Sequence, residues 1–126
     1  MEKSFEQRVT EAQAEVSAVS PKEANEYKMQ NPDIVFIDPR DEADITSTTG
    51  IIPGALNVSL NDLSEKPYGE LPQELSSRTR HIITACQGGP MGALAAHALK
   101  QRGYNNVHFI YGGTQGWLDA GYSTTH

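Results

Sequence analysis

The sequence predicts one α/β domain with a mostly parallel sheet covered by helices on both faces, and three observations predict it. Ile34-Val35-Phe36-Ile37 is a continuous β-branched and aromatic run bounded by turn residues, and Val107-His108-Phe109-Ile110 reads as one more strand. Such runs fit strands buried on both faces of a parallel sheet. These runs alternate with segments of helical periodicity, the order that parallel βαβ units require. Finally, 126 residues of ordinary apolar and charged content can bury one core, with no repeat, linker or low-complexity tract between domains.

The elements are predicted in chain order as follows. From Ser4 to about Ala18, Phe5, Val9, Ala12 and Val16 form one apolar stripe on an otherwise polar helix, with Ser4 as a candidate N-cap. The final part, Val16-Ser17-Ala18-Val19, reads equally as a short first strand. Ser20-Pro21-Lys22-Glu23 is a helix start, with a cap, proline at the first helical position and a capping-box glutamate. Pro32 ends that helix. The strand at 34–37 delivers Asp38-Pro39-Arg40-Asp41-Glu42 to its carboxyl end, where open α/β sheets place their sites. A long polar loop is expected from Asp44 to Gly50, then a turn into a short strand ending near Val58. Ser59 to Leu63 reads as one helical turn, Lys66 to Gly69 as irregular chain and Leu71 to Leu75 as another short helix.

His81-Ile82-Ile83-Thr84 is a further strand, and it runs into Ala85-Cys86-Gln87-Gly88-Gly89-Pro90 and then an alanine-rich helix over about Met91 to Arg102. On that helix Met91, Leu94, Ala95, Ala98 and Leu99 share one face, with Ala93, Ala96, His97 and Lys100 opposite. Gly103 is placed to end it as a left-handed cap. After the strand at 107–110, Gly112-Gly113-Thr114 begins a last helix, whose Trp117 is a core residue.

The chemistry points to Cys86, the only cysteine of the chain. Between a strand's carboxyl end and a helix's amino end it meets unsatisfied backbone N–H groups and the positive end of the helix dipole. Both favour the nucleophilic thiolate. Gly88 and Gly89 give the loop access to positive φ, whereas Pro90 removes one N–H from it. Asp38 and Arg40 lie near the same edge, either as catalytic groups or as a structural ion pair. The four histidines show no metal-ligand spacing with the cysteine. Ten basic against sixteen acidic residues, a net charge of −6, disfavours nucleic acid or an anionic membrane surface as partner. The first residues lack a signal-peptide core and no apolar run approaches spanning length, so a cytoplasmic protein is expected.

Four segments then resemble one family, the single-domain rhodanese-like proteins (thiosulfate sulfurtransferases). They are the strand Ile34-Val35-Phe36-Ile37 running into Asp38-Pro39-Arg40-Asp41-Glu42, Gly50-Ile51-Ile52-Pro53-Gly54-Ala55-Leu56-Asn57, the cysteine loop with Ala93-Leu94-Ala95-Ala96 behind it, and Tyr111-Gly112-Gly113-Thr114-Gln115-Gly116-Trp117-Leu118-Asp119-Ala120-Gly121-Tyr122. The resemblance implies a five-stranded parallel sheet with the cysteine loop at its carboxyl edge. It divides the chain into an N-terminal amphipathic helix at 1–15, packed on a rhodanese-like domain at 16–126. It also implies that Cys86 takes a sulfane sulfur from a donor and passes it as a persulfide to cyanide or a thiol, including a protein thiol. The loop of Gln87, Gly88, Gly89, Met91 and Gly92 would bind the substrate sulfur through its backbone, with Asp38 and Arg40 in support. No metal or organic cofactor is implied.

Two positions depart from the family pattern. Members usually carry a cation five positions after the cysteine, where this chain has Met91, and a histidine in the Gly-His-Ile-Pro segment, where it has Ile51. No residue from Gln87 to Gly92 is charged, so thiosulfate is expected to be a poor donor compared with a polysulfide, a persulfide or a protein-bound sulfur. The alternative is a catalytically weak or inactive rhodanese-like module that binds or senses. Cysteine-dependent phosphatase chemistry is disfavoured, because the position that would hold its guanidinium clamp is Gly92.

Overall fold

In a computed structural model of the chain, residues 3–88 and 90–126 are described. Helix α1 spans Phe5–Glu15 and strand β1 Ala18–Val19, so the stretch around Val16 serves both readings: the helix ends and a strand begins. Ser4 caps α1 through a reciprocal box in which its hydroxyl accepts from the Gln7 amide while the Gln7 side chain accepts from the Ser4 amide. Ser20 and Glu23 build the same box at the start of α2, Pro21–Gln30. These hydrogen bonds hold the Glu23 carboxyl below its ordinary pKa.

Strand β2 (Val35–Asp38) is followed by a short helix α3 over Glu42–Ser47, where a polar loop was expected. Its local pattern is weak, with Ile45 as its one buried residue, and acidic Glu42 and Asp44 in the first turn suit the helix dipole. Strand β3 (Leu56–Asn57) and helix α4 (Leu60–Glu65) come next, then two 3-10 turns at Tyr68–Glu70 and Gln73–Leu75. Strand β4 (Ile82–Thr84), helix α5 (Pro90–Gln101), strand β5 (Val107–Ile110) and helix α6 (Gly113–Asp119) complete the fold.

The five strands form one sheet in the order β1-β5-β4-β2-β3, every pair parallel. This is the expected α/β architecture. Side chains alternate across it: Val35, Ile37, Ile82, Val107 and Phe109 pack with residues of α1, α4 and α5, while Phe36, Ile83 and Ile110 pack with Ala24 and Trp117 of α2 and α6. Cys86 therefore follows the middle strand of the sheet.

Helix α5 corrects the expected single buried face. Ala93 and Ala96 are as fully buried as Ala95 and Leu99, because α1 packs on the side turned away from the sheet. An alanine-rich surface lets the two helices approach closely, and a helix enclosed on both sides shows little polar stripe. The α1 stripe is narrower than its spacing suggests: Val9, Ala12 and Val16 join the core, while Phe5 remains 54% exposed at the helix start.

Candidate functional site

The site is built where β4 ends and α5 begins. Ala85 still pairs with β2 through its amide to the Ile37 carbonyl, at 2.9 Å, and the chain then leaves the sheet at Cys86. Cys86 is only 3% exposed, whereas Gln87, Gly88 and Pro90 around it are exposed and Met91 is half-buried. Pro90 is the first residue of α5, a position where the lost N–H has no helical partner in any case. Its cost to the loop is thereby reduced to one missing donor.

Two outside contacts hold the loop. The α6 amides of Thr114 and Gln115 donate to the carbonyls of Cys86 and Gln87 at 2.5 and 3.0 Å. Below the loop, the Thr84 hydroxyl donates to the Gly92 carbonyl at 2.6 Å, tying the first turn of α5 to the end of β4. Gly92 is buried, and a Cβ there would lie 3.4 Å from the Cys86 nitrogen. It lies behind the cysteine rather than at the open side of the loop. Gly88 does not adopt the expected positive φ, and nothing lies within 4 Å of where its Cβ would be. Gly89 lies outside the described residues.

Asp38 and Arg40 are brought together one strand away. Arg40 Nε and Nη2 donate to the two Asp38 carboxylate oxygens at 3.0 and 2.7 Å, a bidentate pair with both side chains buried. The remaining guanidinium donors go to Thr48, Thr49 and the Gly50 carbonyl. Asn57 fixes the same corner by donating to the Asp38 and Arg40 carbonyls. Of the two readings of this pair, the geometry matches the ion-pair brace: Nε and Nη2 hold Asp38, and Nη1 and Nη2 reach into the 48–50 turn. Beside that turn, Ile51 forms an antiparallel bridge with Thr125, so the residue standing in place of the family's histidine is held by its backbone.

Sequence reasoning missed one polar cluster. His81 Nε2 and His108 Nδ1 are 3.0 Å apart, and the Tyr27 ring packs edge-on against His81 with centroids 4.8 Å apart. Burial lowers the pKa of both histidines. The signal was faint, since the two residues are 27 positions apart and meet only because β4 and β5 are neighbours. They precede or lie within the strands and are remote in sequence from the cysteine loop. Among the described residues no group of three histidine, cysteine, aspartate or glutamate side chains could hold a metal ion, and no helix is long and apolar enough to cross a membrane.

Comparison with known proteins agrees with this fold. The family model of the rhodanese-like domain matches residues 20–120, and the chain belongs to that family. No curated protein matches it. Among solved structures, it is similar to a protein of unknown function from Rhodopseudomonas palustris, described as a possible tyrosine phosphatase. The two share 23% identity and a TM-score of 0.86, with 99% of this chain and 96% of that one covered. It is also similar to the polysulfide-sulfur transferase homodimer of Wolinella succinogenes, at 24% identity and a TM-score of 0.76, covering 96% and 86%. The human single-domain sulfurtransferase TSTD1 matches at 21% identity and a TM-score of 0.67, covering 82% and 96%. At these identities the likeness is one of fold.

Proposed function

We propose that this protein is a sulfurtransferase or sulfur carrier that works through a Cys86 persulfide. The observation that carries the reading is the placement of Cys86 at the β4–α5 junction of a rhodanese-like domain, in a loop without any charged side chain. In the first step the Cys86 thiolate attacks the outer sulfur of a donor such as an organic hydropersulfide. The new Cys–S–S bond forms as the donor's S–S bond breaks, and the donor leaves as a thiolate. In the second step cyanide or an acceptor thiolate attacks the outer sulfur and Cys86 departs as thiolate. Neither half needs an external oxidant or reductant.

Charge selects the donor. Thiosulfate would leave as sulfite, a dianion, from a loop where backbone dipoles alone answer the charge. A low-molecular-weight or protein-bound persulfide leaves as a monoanionic thiolate, and a polysulfide spreads its charge along a sulfur chain, so each makes a smaller demand. Arg40 does not fill the gap, because its nitrogens are committed to Asp38 and the 48–50 turn. The same commitment argues against phosphatase chemistry, which needs a guanidinium fork on the phosphoryl oxygens. The second reading is a binding or sensing module without turnover, which the burial of Cys86 and the uncharged loop favour.

Intact-mass analysis separates the two. After incubation with polysulfide the wild type is expected to gain sulfur and to release it to cyanide as thiocyanate, and Cys86→Ser is expected to do neither. A wild type that gains no sulfur from polysulfide, persulfide or thiosulfate would leave the binding-module reading.

A further inference from the structure

We infer that the first turn of α6 aims the cysteine loop, with Thr114 and Gln115 acting as positioning residues through their backbone amides. This rests on the sulfurtransferase reading above. A peptide unit is planar and its C=O and N–H point in opposite directions. The Cys86 and Gln87 carbonyls are turned onto α6 by the Thr114 and Gln115 amides, at 2.5 and 3.0 Å. The N–H groups of Gln87 and Gly88, the other halves of those two peptide units, are therefore turned away from α6. Both residues are exposed, which leaves these N–H groups to an incoming or departing sulfur anion, and no residue from Gln87 to Gly92 is a cation that would compete for it.

The local sequence builds this clamp. Gly112 and Gly113 take φ of +78° and +62°, two consecutive left-handed residues that bend the chain straight from β5 into α6. Gly116 then lets the helix lie against the start of the turn, since a Cβ there would be 2.9 Å from the Tyr111 carbonyl. Thr114 and Gln115 occupy the second and third helical positions, whose amides have no partner inside the helix. Those orphan donors are spent on the loop. A family loop with an arginine has two means of holding sulfur charge. Here the aimed backbone is the only means within the loop, so a small rotation of two peptide units should be felt fully in the rate.

The test compares Gln115→Pro with Gln115→Ala. Proline removes the amide donor at a first-turn position that tolerates it, whereas alanine keeps the donor and removes only the side chain. Sulfur transfer from polysulfide to cyanide and the pH profile of Cys86 alkylation by iodoacetamide are measured on both, with circular dichroism and melting as checks on folding. Gln115→Pro is expected to lower kcat roughly tenfold below Gln115→Ala, less than the loss of an aimed donor itself. KM should change little, and the alkylation profile should move to higher pH. Equal kcat and equal alkylation profiles in the two variants would overturn the inference. Should Gln115→Pro fail to fold, Gly112→Ala decides in its place, because a side chain at φ of +78° shifts the same turn. The same direction of change supports the clamp and an unchanged profile overturns it. A wild type that never accepts sulfur would sink the sulfurtransferase reading, yet the alkylation profiles would still decide whether α6 aims the loop.

Discussion

Two corners at the carboxyl edge of the sheet treat charge in opposite ways. The corner after β2 holds a full ion pair, with Arg40 and Asp38 both buried and every guanidinium nitrogen hydrogen-bonded. The corner after β4 holds a cysteine among uncharged residues, fixed by backbone hydrogen bonds from α6. A buried guanidinium with every nitrogen hydrogen-bonded is a brace, because moving it toward a substrate would strand the Asp38 carboxylate. The thiol corner, by contrast, leaves backbone N–H groups to answer negative charge. Side-chain charge at this edge thus serves architecture, and the cysteine corner carries no charged side chain from Gln87 to Gly92.

Breaking the charged corner is expected to give the largest effect. Arg40→Ala would leave the Asp38 carboxylate buried and unpaired and should cost about 3–5 kcal/mol in urea unfolding. Arg40→Lys should recover little of it, since an ammonium cannot form the two parallel bonds to Asp38 or reach Thr49 and Gly50 together. A loss below about 1 kcal/mol, the scale of exposed pairs, would refute the brace.

The neutral corner is tested from the other direction, by adding charge. Met91→Arg should raise thiosulfate-dependent thiocyanate formation by roughly ten- to a hundredfold, on the scale of a single electrostatic donor in a shielded site. Polysulfide-dependent transfer should change much less, because that leaving group spreads its charge along a chain of polarisable sulfur atoms rather than on three compact oxygens. An equal gain with both donors would show that the cation helps the thiol rather than the leaving group, and an unchanged thiosulfate rate would return the block to the donor's fit.

What could be read from the sequence divides along the same line, between local and distant causes. The capping boxes at Ser4 and Ser20 involve residues three apart, so spacing alone revealed them. The strand at 35–38 announced itself by the unbroken apolar run at 34–37, and the strand at 107–110 by a run interrupted only at His108. The position of Cys86 between strand and helix followed from its immediate neighbours. The partners of Arg40, eight to ten residues away in a turn, did not follow. Nor did the enclosure of Ala93 and Ala96 by α1, because a helical wheel shows one helix and not its neighbours. Helix α3 was hidden for a related reason: it has one buried residue, so periodicity had almost nothing to register.

The histidine pair gives a pH-dependent handle on the fold, away from both corners. Burial lowers the pKa of His81 and His108, the neighbouring imidazole adds to the effect at His81, and Glu23 on α2 opposes it at His108. Below about pH 6.5 the unfolded chain takes up protons that the folded pair resists, so stability is expected to be full above that value and to fall as the pH drops through it. The melting temperature should decrease by about 2–5 °C between pH 7.5 and 5.5. His108→Gln should flatten this dependence, and an equal slope in the variant would assign it elsewhere. Glu23 acts at lower pH: its depressed pKa supports the fold above its ordinary 4.5 and is lost only as the pH falls further.

The smallest expected effect lies at Thr114, on the element that links the loop to the second layer of helices. Its hydroxyl is the only buried side-chain polar atom among the described residues without a hydrogen bond, and the residue is 0% exposed. An unsatisfied buried hydroxyl is a cost, whereas the Thr114 amide is fully used on the Cys86 carbonyl. Thr114→Val keeps that amide and the branched shape and removes only the orphan group. It should therefore stabilise the protein by about 1 kcal/mol in urea unfolding. The measurement also sharpens the contrast between the two corners. Stabilisation would show that α6 holds the loop through its backbone alone, while destabilisation would mean that the Thr114 hydroxyl serves the fold through a contact of its own.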